Sequence, residues 1–151
     1  MKDLLSYIEN QSVKKIDQRY SLCGFTFELY EIVNIDKIKK SDLPNSEGLY
    51  CFTKRDIALD ISSSLPRHFR HIHELIYLGM TEDFTERLPY HNKLPKIKEA
   101  GATHLGICIL DKGTKDEIKR IESLLLDEYF FQENDKENES KLNKETNVVE
   151  D

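Results

Sequence analysis

Hydrophobic and polar residues follow two different periods along this chain, one typical of strands and one of helices. Residues 25–32 alternate apolar with polar positions and carry aromatic and branched side chains, which predicts a half-buried strand pairing beside a main sheet. Residues 48–53 predict a second strand, and the largely apolar run 74–80 predicts a third that is buried on both faces. Residues 103–110, rich in Ile and Leu, predict a fourth strand.

Helical spacing appears in three further segments. Residues 1–12 place their leucines and isoleucine on one face and predict a short N-terminal helix. Residues 81–83 are suited to cap a helix that starts near Phe84, although Pro89 in its second turn should kink or break it. From Thr114, apolar residues recur on one face and predict a helix of roughly four turns.

Length and composition indicate one compact domain with extensions. The chain has 151 residues, 38% of them hydrophobic and 33% charged, and lacks an apolar run near the roughly 18 residues that a membrane span needs. Its first residues do not resemble an export signal, so we expect no membrane partner. Three widely spaced cysteines favour reduced thiols, and we therefore expect a cytoplasmic protein, or a nuclear one in a eukaryote.

The negative charge is concentrated at the C-terminal end. The formal net charge is −6, but residues 133–151 hold seven acids and three lysines, which leaves −2 for the rest. Composition predicts an acidic disordered tail over 135–151. Residues 54–73 and 87–98 are locally basic, and affinity for long DNA should be weak unless these patches or a partner supply it.

A constellation of spaced residues suggests phosphodiester chemistry. Gly48-Leu49-Tyr50 is followed by Tyr77-Leu78-Gly79, then by Arg87 ten residues after Tyr77 and His91 four residues later, and Glu122 lies on the third predicted helix. Cleavage of a phosphodiester needs a general base, positive charge near the phosphate and stabilisation of the leaving oxygen. A magnesium ion can supply part of this, and a single carboxylate can hold it. Taken separately, these side chains would more often be core aromatics, a solvated helix face and a salt-bridged acid.

Together the residues resemble the GIY-YIG nuclease superfamily, with leucine in place of isoleucine in both tripeptides. The resemblance covers Gly48 to Asn134. It implies an α+β fold with a small central antiparallel sheet of about three strands flanked by helices. Residues 46–134 would form this nuclease domain and residues 1–45 an N-terminal helix and strand extension packing on it, which either recognises substrate or completes the sheet.

The resemblance also implies roles for individual residues. Glu122 would bind a Mg²⁺ or Mn²⁺ ion, and Arg87 would contact the scissile phosphate. Tyr50 would accept the proton from water, with His91 as the competing general base, and the sequence leaves that choice open. Tyr77 would orient water or phosphate. Asn134, twelve residues after Glu122, would position the substrate or the glutamate.

One departure from the family pattern is the spacing of the two tripeptides. Tyr50 and Tyr77 are 27 positions apart, where the family usually has a short hairpin, so residues 54–73 form an insertion. Its basic side chains, which include Arg67 and Arg70, are suited to contact substrate phosphate. A plain solvated insertion is the main alternative, and a zinc site on its three histidines is a weaker one because no cysteine or further acid ligand joins them.

These observations predict a metal-dependent endonuclease that hydrolyses DNA, either duplex or branched. A noncatalytic GIY-YIG-like module that binds nucleic acid or a protein partner is the alternative, and a homodimer is compatible with both. The sequence leaves open whether the substrate is DNA or RNA and whether cutting is sequence-specific or structure-specific.

Overall fold

A computed structural model describes residues 11–55 and 73–134. The strands are β1 (Val13–Leu22), β2 (Phe25–Ile32), β3 (Gly48–Arg55), β4 (His73–Thr81) and β5 (His104–Ile109). The α-helices are α1 (Phe84–Arg87), α2 (Leu94–Glu99) and α3 (Lys115–Glu128), with single 3₁₀ turns at Ile35–Lys37, Lys40–Asp42 and Leu88–Tyr90. Most of the predicted helix at 1–12, most of the insertion and the predicted tail lie outside the described residues.

The strands form one antiparallel sheet in the order β1-β2-β5-β3-β4. The predicted α+β class is therefore confirmed, but the prediction of about three strands is wrong, because the described residues contain five. β2 pairs with β5, so the N-terminal extension continues the sheet and contributes two strands to it. This pairing joins segments about 75 residues apart, which local periodicity does not reveal.

The β1–β2 hairpin is the part of the sheet that periodicity missed. The strand at 25–32 was predicted and is confirmed as β2, whereas β1 was not predicted. Cys23 and Gly24 connect the two strands with φ angles of 49° and 84°, and two consecutive residues of positive φ are the turn that suits the right-handed twist of paired strands. Tyr20 and Leu22 are buried just before this turn.

Helices cover both faces of the sheet. One apolar cluster lies under α1, α2 and the 3₁₀ turns and includes Tyr50, Phe52, Phe84 and Ile97. A second cluster lies under α3 on the other face and includes Leu49, Leu78 and Leu125. None of the helices in the described part of the chain is long and apolar enough to cross a membrane. Alternate residues of β3 therefore belong to two separate cores.

The predicted helix signals are largely confirmed. Asp83 caps α1 by accepting a hydrogen bond from the Thr85 amide, and α1 gives way at Leu88 to a 3₁₀ turn that contains Pro89. Thr114 caps α3 by accepting from the Glu117 amide, and α3 runs for 14 residues. The six-residue helix α2 was not predicted, since it is too short to show a hydrophobic period.

The segment after α3 covers the outer edge of β4. The backbone amides of Gln132 and Glu133 donate to the carbonyls of Leu75 and Ile76 at 3.2 and 2.7 Å, and the neighbouring Phe131 is buried. Unpaired strand edges are usually covered in this way. The segment also carries Asn134 to the middle of β4.

Candidate active site

Tyr50 lies at the centre of the predicted constellation because of the β3–β4 register. It faces Gly79 across the pair, and Phe52 faces Tyr77 two residues along. Tyr50 and Tyr77 are thus diagonal neighbours on one face of the sheet, and their rings lie 6.1 Å apart between centroids. The two motif tyrosines, 27 positions apart in sequence, share one surface.

Gly79 allows the Tyr50 ring to lie flat across the edge strand. A methyl group at Gly79 would overlap the ring carbon Cζ and the hydroxyl oxygen of Tyr50. Tyr50 is 1% exposed, so its ring can move aside only by displacing the residues packed around it. The glycine of the second tripeptide therefore has a steric function, and it lets the Tyr50 hydroxyl reach the β4 edge of the sheet.

His91 lies over the two phenol rings. It follows the 3₁₀ turn at Leu88–Tyr90, and its ring makes edge-on contacts with Tyr50 and Tyr77 at centroid distances of 5.5 and 5.0 Å. The His91 Nε2 lies 2.7 Å from the Tyr50 hydroxyl oxygen. The side chain is buried, at 4% exposure, so this hydrogen bond is shielded from water.

The backbone sets the tautomer of His91. The Lys93 amide donates to His91 Nδ1 at 3.0 Å. A nitrogen that accepts a hydrogen bond carries no proton, so in the neutral ring the proton sits on Nε2 and is donated to Tyr50. Burial, together with the charges of Arg87 and Lys93, lowers the pKa of His91 to about 4, so the ring is neutral at pH 7.

Arg87 and Glu122 act electrostatically on the same hydroxyl from two helices on opposite faces of the sheet. Arg87 ends α1 and Glu122 lies in the second half of α3, and both are partly buried. Burial raises the pKa of Tyr50 well above its usual range, the Tyr77 hydroxyl and the Glu122 carboxylate raise it further, and the Arg87 guanidinium lowers it. The four predicted partners of Tyr50 are therefore all close enough to act on its hydroxyl.

A groove of about 600 Å³ opens beside Arg87. Its walls come from the β4–α1 connection and from the first turns of α3, which contributes Lys115 and Lys119. Lys119 and Lys115 precede Glu122 by three and seven residues, so the three side chains share one face of the helix. Lys115 forms a 3.4 Å ion pair with Glu82. The groove thus lies between the β4–α1 connection and α3, and Arg87 is the member of the predicted constellation that lines it.

The residues around Tyr50 suit one oxygen-ligated divalent ion. No group of three or more His, Cys, Asp and Glu side chains in residues 11–55 and 73–134 is arranged to hold a metal. Mg²⁺ does not need such a group, because it keeps several waters and often takes only one or two carboxylates together with substrate phosphate. Glu122 provides one carboxylate within electrostatic reach of the Tyr50 phenol, and a carboxylate with a phenol is a donor set that suits Mg²⁺ or Mn²⁺ better than zinc.

Asn134 lies at the edge of β4 with both amide atoms engaged. Its Oδ1 accepts from the Leu78 amide and its Nδ2 donates to the Leu78 carbonyl, both at 2.9 Å. The side chain is 4% exposed. Leu78 is the central residue of the second tripeptide, so Asn134 holds the strand on which Tyr77 and Gly79 lie. The predicted role of positioning the glutamate or the substrate remains a prediction.

The predicted substrate contacts Arg67 and Arg70 lie outside the described residues. The three histidines considered as a zinc site are His68, His71 and His73, of which only His73 is described. It is buried, and its Nδ1 lies 3.0 Å from the Thr53 hydroxyl. Its ring makes an edge-on contact with the His104 ring, with 5.0 Å between the ring centroids. His73 is the first residue of β4 and lies six residues before Gly79 on that strand.

Sequence reasoning missed two parts of this site. The Lys93 amide, which selects the tautomer of His91, carries no signal in a side-chain pattern because every residue except proline has such an amide. The contact of Gly79 with Tyr50 was equally hidden, although the presence of a glycine two residues from a tyrosine in both tripeptides could have suggested it.

Comparisons with protein-family models, with curated proteins and with solved structures found no match to this chain.

Proposed function

We propose that this chain is a metal-dependent endonuclease that hydrolyses DNA phosphodiester bonds with a GIY-YIG-type active site. One observation carries the proposal. The Tyr50 hydroxyl is hydrogen-bonded to His91 and lies within electrostatic reach of Tyr77, Arg87 and Glu122. A purely structural tyrosine needs one hydrogen-bond partner, not a cation and a carboxylate as well.

Arg87 binds the scissile phosphate in this proposal. Its planar guanidinium donates two parallel hydrogen bonds to phosphate oxygens and stays charged at every working pH. The groove beside it has a volume of about 600 Å³ and is lined by Lys115 and Lys119 as well as by three acids, Glu82, Asp83 and Glu86. Negative charge that develops on the phosphate during attack would be stabilised by a group already in place.

Tyr50, rather than His91, accepts the proton from the attacking water. The His91 Nε2 already carries a proton when the ring is neutral, and its Nδ1 is occupied by the Lys93 amide. His91 therefore acts as a donor that stabilises negative charge on the Tyr50 oxygen. Tyr50 can accept the proton from water only as a phenolate, so its own proton passes first to a base in the solvent. Arg87 favours that loss, whereas burial, Tyr77 and Glu122 oppose it.

Glu122 would hold the divalent ion. When bound, Mg²⁺ or Mn²⁺ supplies positive charge that lowers the pKa of nearby hydroxyl groups and neutralises phosphate oxygens. The work of this chain's own residues is to hold the phosphate at Arg87, to accept the proton at Tyr50 and to orient the reacting groups through the Tyr77 hydroxyl.

The test is cleavage of supercoiled plasmid and of duplex, flap, branched and single-stranded oligonucleotides with Mg²⁺ or Mn²⁺. We expect metal-dependent products from the wild-type protein and a loss of at least 100-fold in rate for Glu122→Gln. Asp127→Asn, which changes an exposed acid on the same helix, serves as the matched control and should cleave normally. If wild-type protein binds these substrates but leaves them intact, the noncatalytic alternative is correct.

A second experiment separates the two candidate bases. His91→Gln keeps an N–H donor that can reach the Tyr50 oxygen, whereas His91→Ala removes it. If His91 supports Tyr50, kcat for His91→Gln should stay within about tenfold of wild type, while His91→Ala falls about 100-fold. Equal losses in both variants, together with a kinetic pKa that disappears with the imidazole, would assign the base to His91 instead.

A further inference from the structure

Tyr90 is a large aromatic side chain that the fold leaves on the surface next to the candidate site. It is 68% exposed, although the residue after it, His91, is buried against Tyr50. Residues 84–90 form a continuous helical run of α1 and a 3₁₀ turn, in which Phe84 and Leu88 face the core. Arg87 and Tyr90 are three residues apart in this run and so lie on the same side of it.

The Tyr90 ring is supported on one side by a lysine. Lys40 Nζ lies 5.5 Å from the ring centroid and also makes a 3.2 Å ion pair with Glu86 Oε1, one helical turn before Tyr90. A cation held over one face of an aromatic ring orients it without covering the remainder. The ring therefore contacts a cation on one face while most of its surface stays exposed to solvent.

Two segments near Tyr90 are rich in lysine, although the whole chain is acidic. Residues 36–40, which include Lys40, carry three lysines and one acid, and residues 93–99, which follow Tyr90 closely in the chain, likewise carry three lysines and one acid. Asp36 links the two segments through a 2.7 Å ion pair with Lys98. The two segments thus carry a net charge of +4 between them in a chain whose net charge is −6, although Lys40 is paired with Glu86 and Lys98 with Asp36.

We infer that Tyr90 is a stacking platform for an unpaired nucleobase next to the scissile phosphate, with the phosphates of that strand following the lysines of residues 36–40 and 93–99. Exposed aromatic rings set among cations bind single strands because every base has a face to stack, whereas the bases of an intact duplex already stack on each other. The inference deepens the proposed function and depends on it for the position of the scissile phosphate. The substrate class is a nucleic acid with a single-stranded stretch, such as a flap or a branch.

The experiment measures binding in the full-length Glu122→Gln protein, which separates affinity from cleavage. Fluorescence anisotropy with labelled single-stranded, flap and blunt duplex DNA of one sequence gives the dissociation constants. We expect Tyr90→Ala to weaken binding to single strand and flap by about tenfold and to blunt duplex by less than about twofold. Tyr90→Phe retains the stacking ring and should bind within about twofold of its parent.

A fluorescent base analogue reports the stacking itself. 2-Aminopurine placed at successive positions of the flap should be quenched at one position by the parent protein and remain bright with Tyr90→Ala. Phe130→Ala is the matched control, because Phe130 is 65% exposed and lies after α3 near the start of β4, away from the candidate site. It should change neither signal.

Equal binding of single strand by Tyr90→Ala and its parent would overturn the inference, as would an equal loss on blunt duplex or the absence of binding to any of these DNAs. The outcome for the proposed function is read separately from wild-type cleavage. If the wild-type protein cleaves DNA but Tyr90→Ala binds as its parent does, only the stacking inference is wrong. If binding depends on Tyr90 but the wild-type protein does not cleave, only the proposed endonuclease activity is wrong.

Discussion

At the scale of single residues, the two motif glycines are explained by close approach of other groups. A methyl group at Gly48 would overlap the carbonyl oxygen of Cys108 on the adjacent strand, and Gly48 has a φ of 153° that disfavours other residues. A methyl group at Gly79 would overlap the Tyr50 ring. Both glycines shape the surface on which the candidate site lies, and neither needs to contact a substrate.

The contact between Gly79 and Tyr50 leads to a first prediction. Gly79→Ala should lower the free energy of unfolding by about 1–3 kcal/mol, since the buried ring must shift to admit the methyl group. In a Tyr50→Leu background, which lacks the overlapping atoms, the same change should cost less than half as much. Urea denaturation of the four proteins in this cycle measures the difference.

Gly113→Ala is the control for that cycle, because a methyl group there would make only ordinary contacts, the nearest at 3.5 Å. It should alter stability by no more than about 0.5 kcal/mol. Equal costs of Gly79→Ala in the two backgrounds would show that the Tyr50 ring is not what excludes a side chain at position 79.

At the scale of secondary-structure elements, the edge of β4 depends on the segment that follows α3. Asn134 supplies an acceptor and a donor to the backbone of Leu78, as a neighbouring strand would. Phe131 is buried in the core beneath α3. This short segment therefore fixes the strand that carries Tyr77 without having strand character of its own.

Asn134→Ala should lower the free energy of unfolding by about 2 kcal/mol, because it leaves the buried Leu78 amide and carbonyl without partners. Asn134→Asp should cost more, since it loses the donor and buries a charge. Chemical denaturation measures both, and Asn92→Ala, at an exposed asparagine, should change little. Lost activity with unchanged stability would instead favour the predicted contact with substrate.

At the scale of the whole molecule, buried neutral histidines make stability depend on pH. Burial, with the charges of neighbouring groups, lowers the pKa values of His73 and His91 to about 4, and it also lowers the pKa of His104. Each of these rings is more easily protonated in the unfolded chain, where the pKa is about 6.5. The folded state therefore loses stability as pH falls from about 6.5 towards 4 and loses no more from these groups below 4.

As pH falls from 8 to 5, the protonation of His73 and of His91 in the unfolded chain should each lower the free energy of unfolding by about 2 kcal/mol. Urea titrations at both pH values measure the total loss. In His73→Gln and His91→Gln variants the corresponding part of the pH dependence should disappear, even where stability at pH 8 is lower. A pH dependence unchanged from wild type would contradict the assignment of these histidines as buried and neutral.

The sequence alone determined β2 to β5, α1 and α3, because hydrophobic period, turn residues and helix caps are local signals that act within about ten residues. It also identified Tyr50 and the four side chains that act on its hydroxyl, because the residue types and their order in the two tripeptides and the segments after them can be read directly from the sequence. Their chemical roles were expectations from the resemblance.

Only the tertiary structure decided the five-stranded order, the placement of Gly79 under Tyr50, the tautomer of His91 and the pairing of Asn134 with Leu78. Each of these depends on backbone groups or on strand pairings between segments distant in the chain. A backbone amide is the same in every residue except proline, so its partner becomes known only when the register and packing of the whole sheet are known.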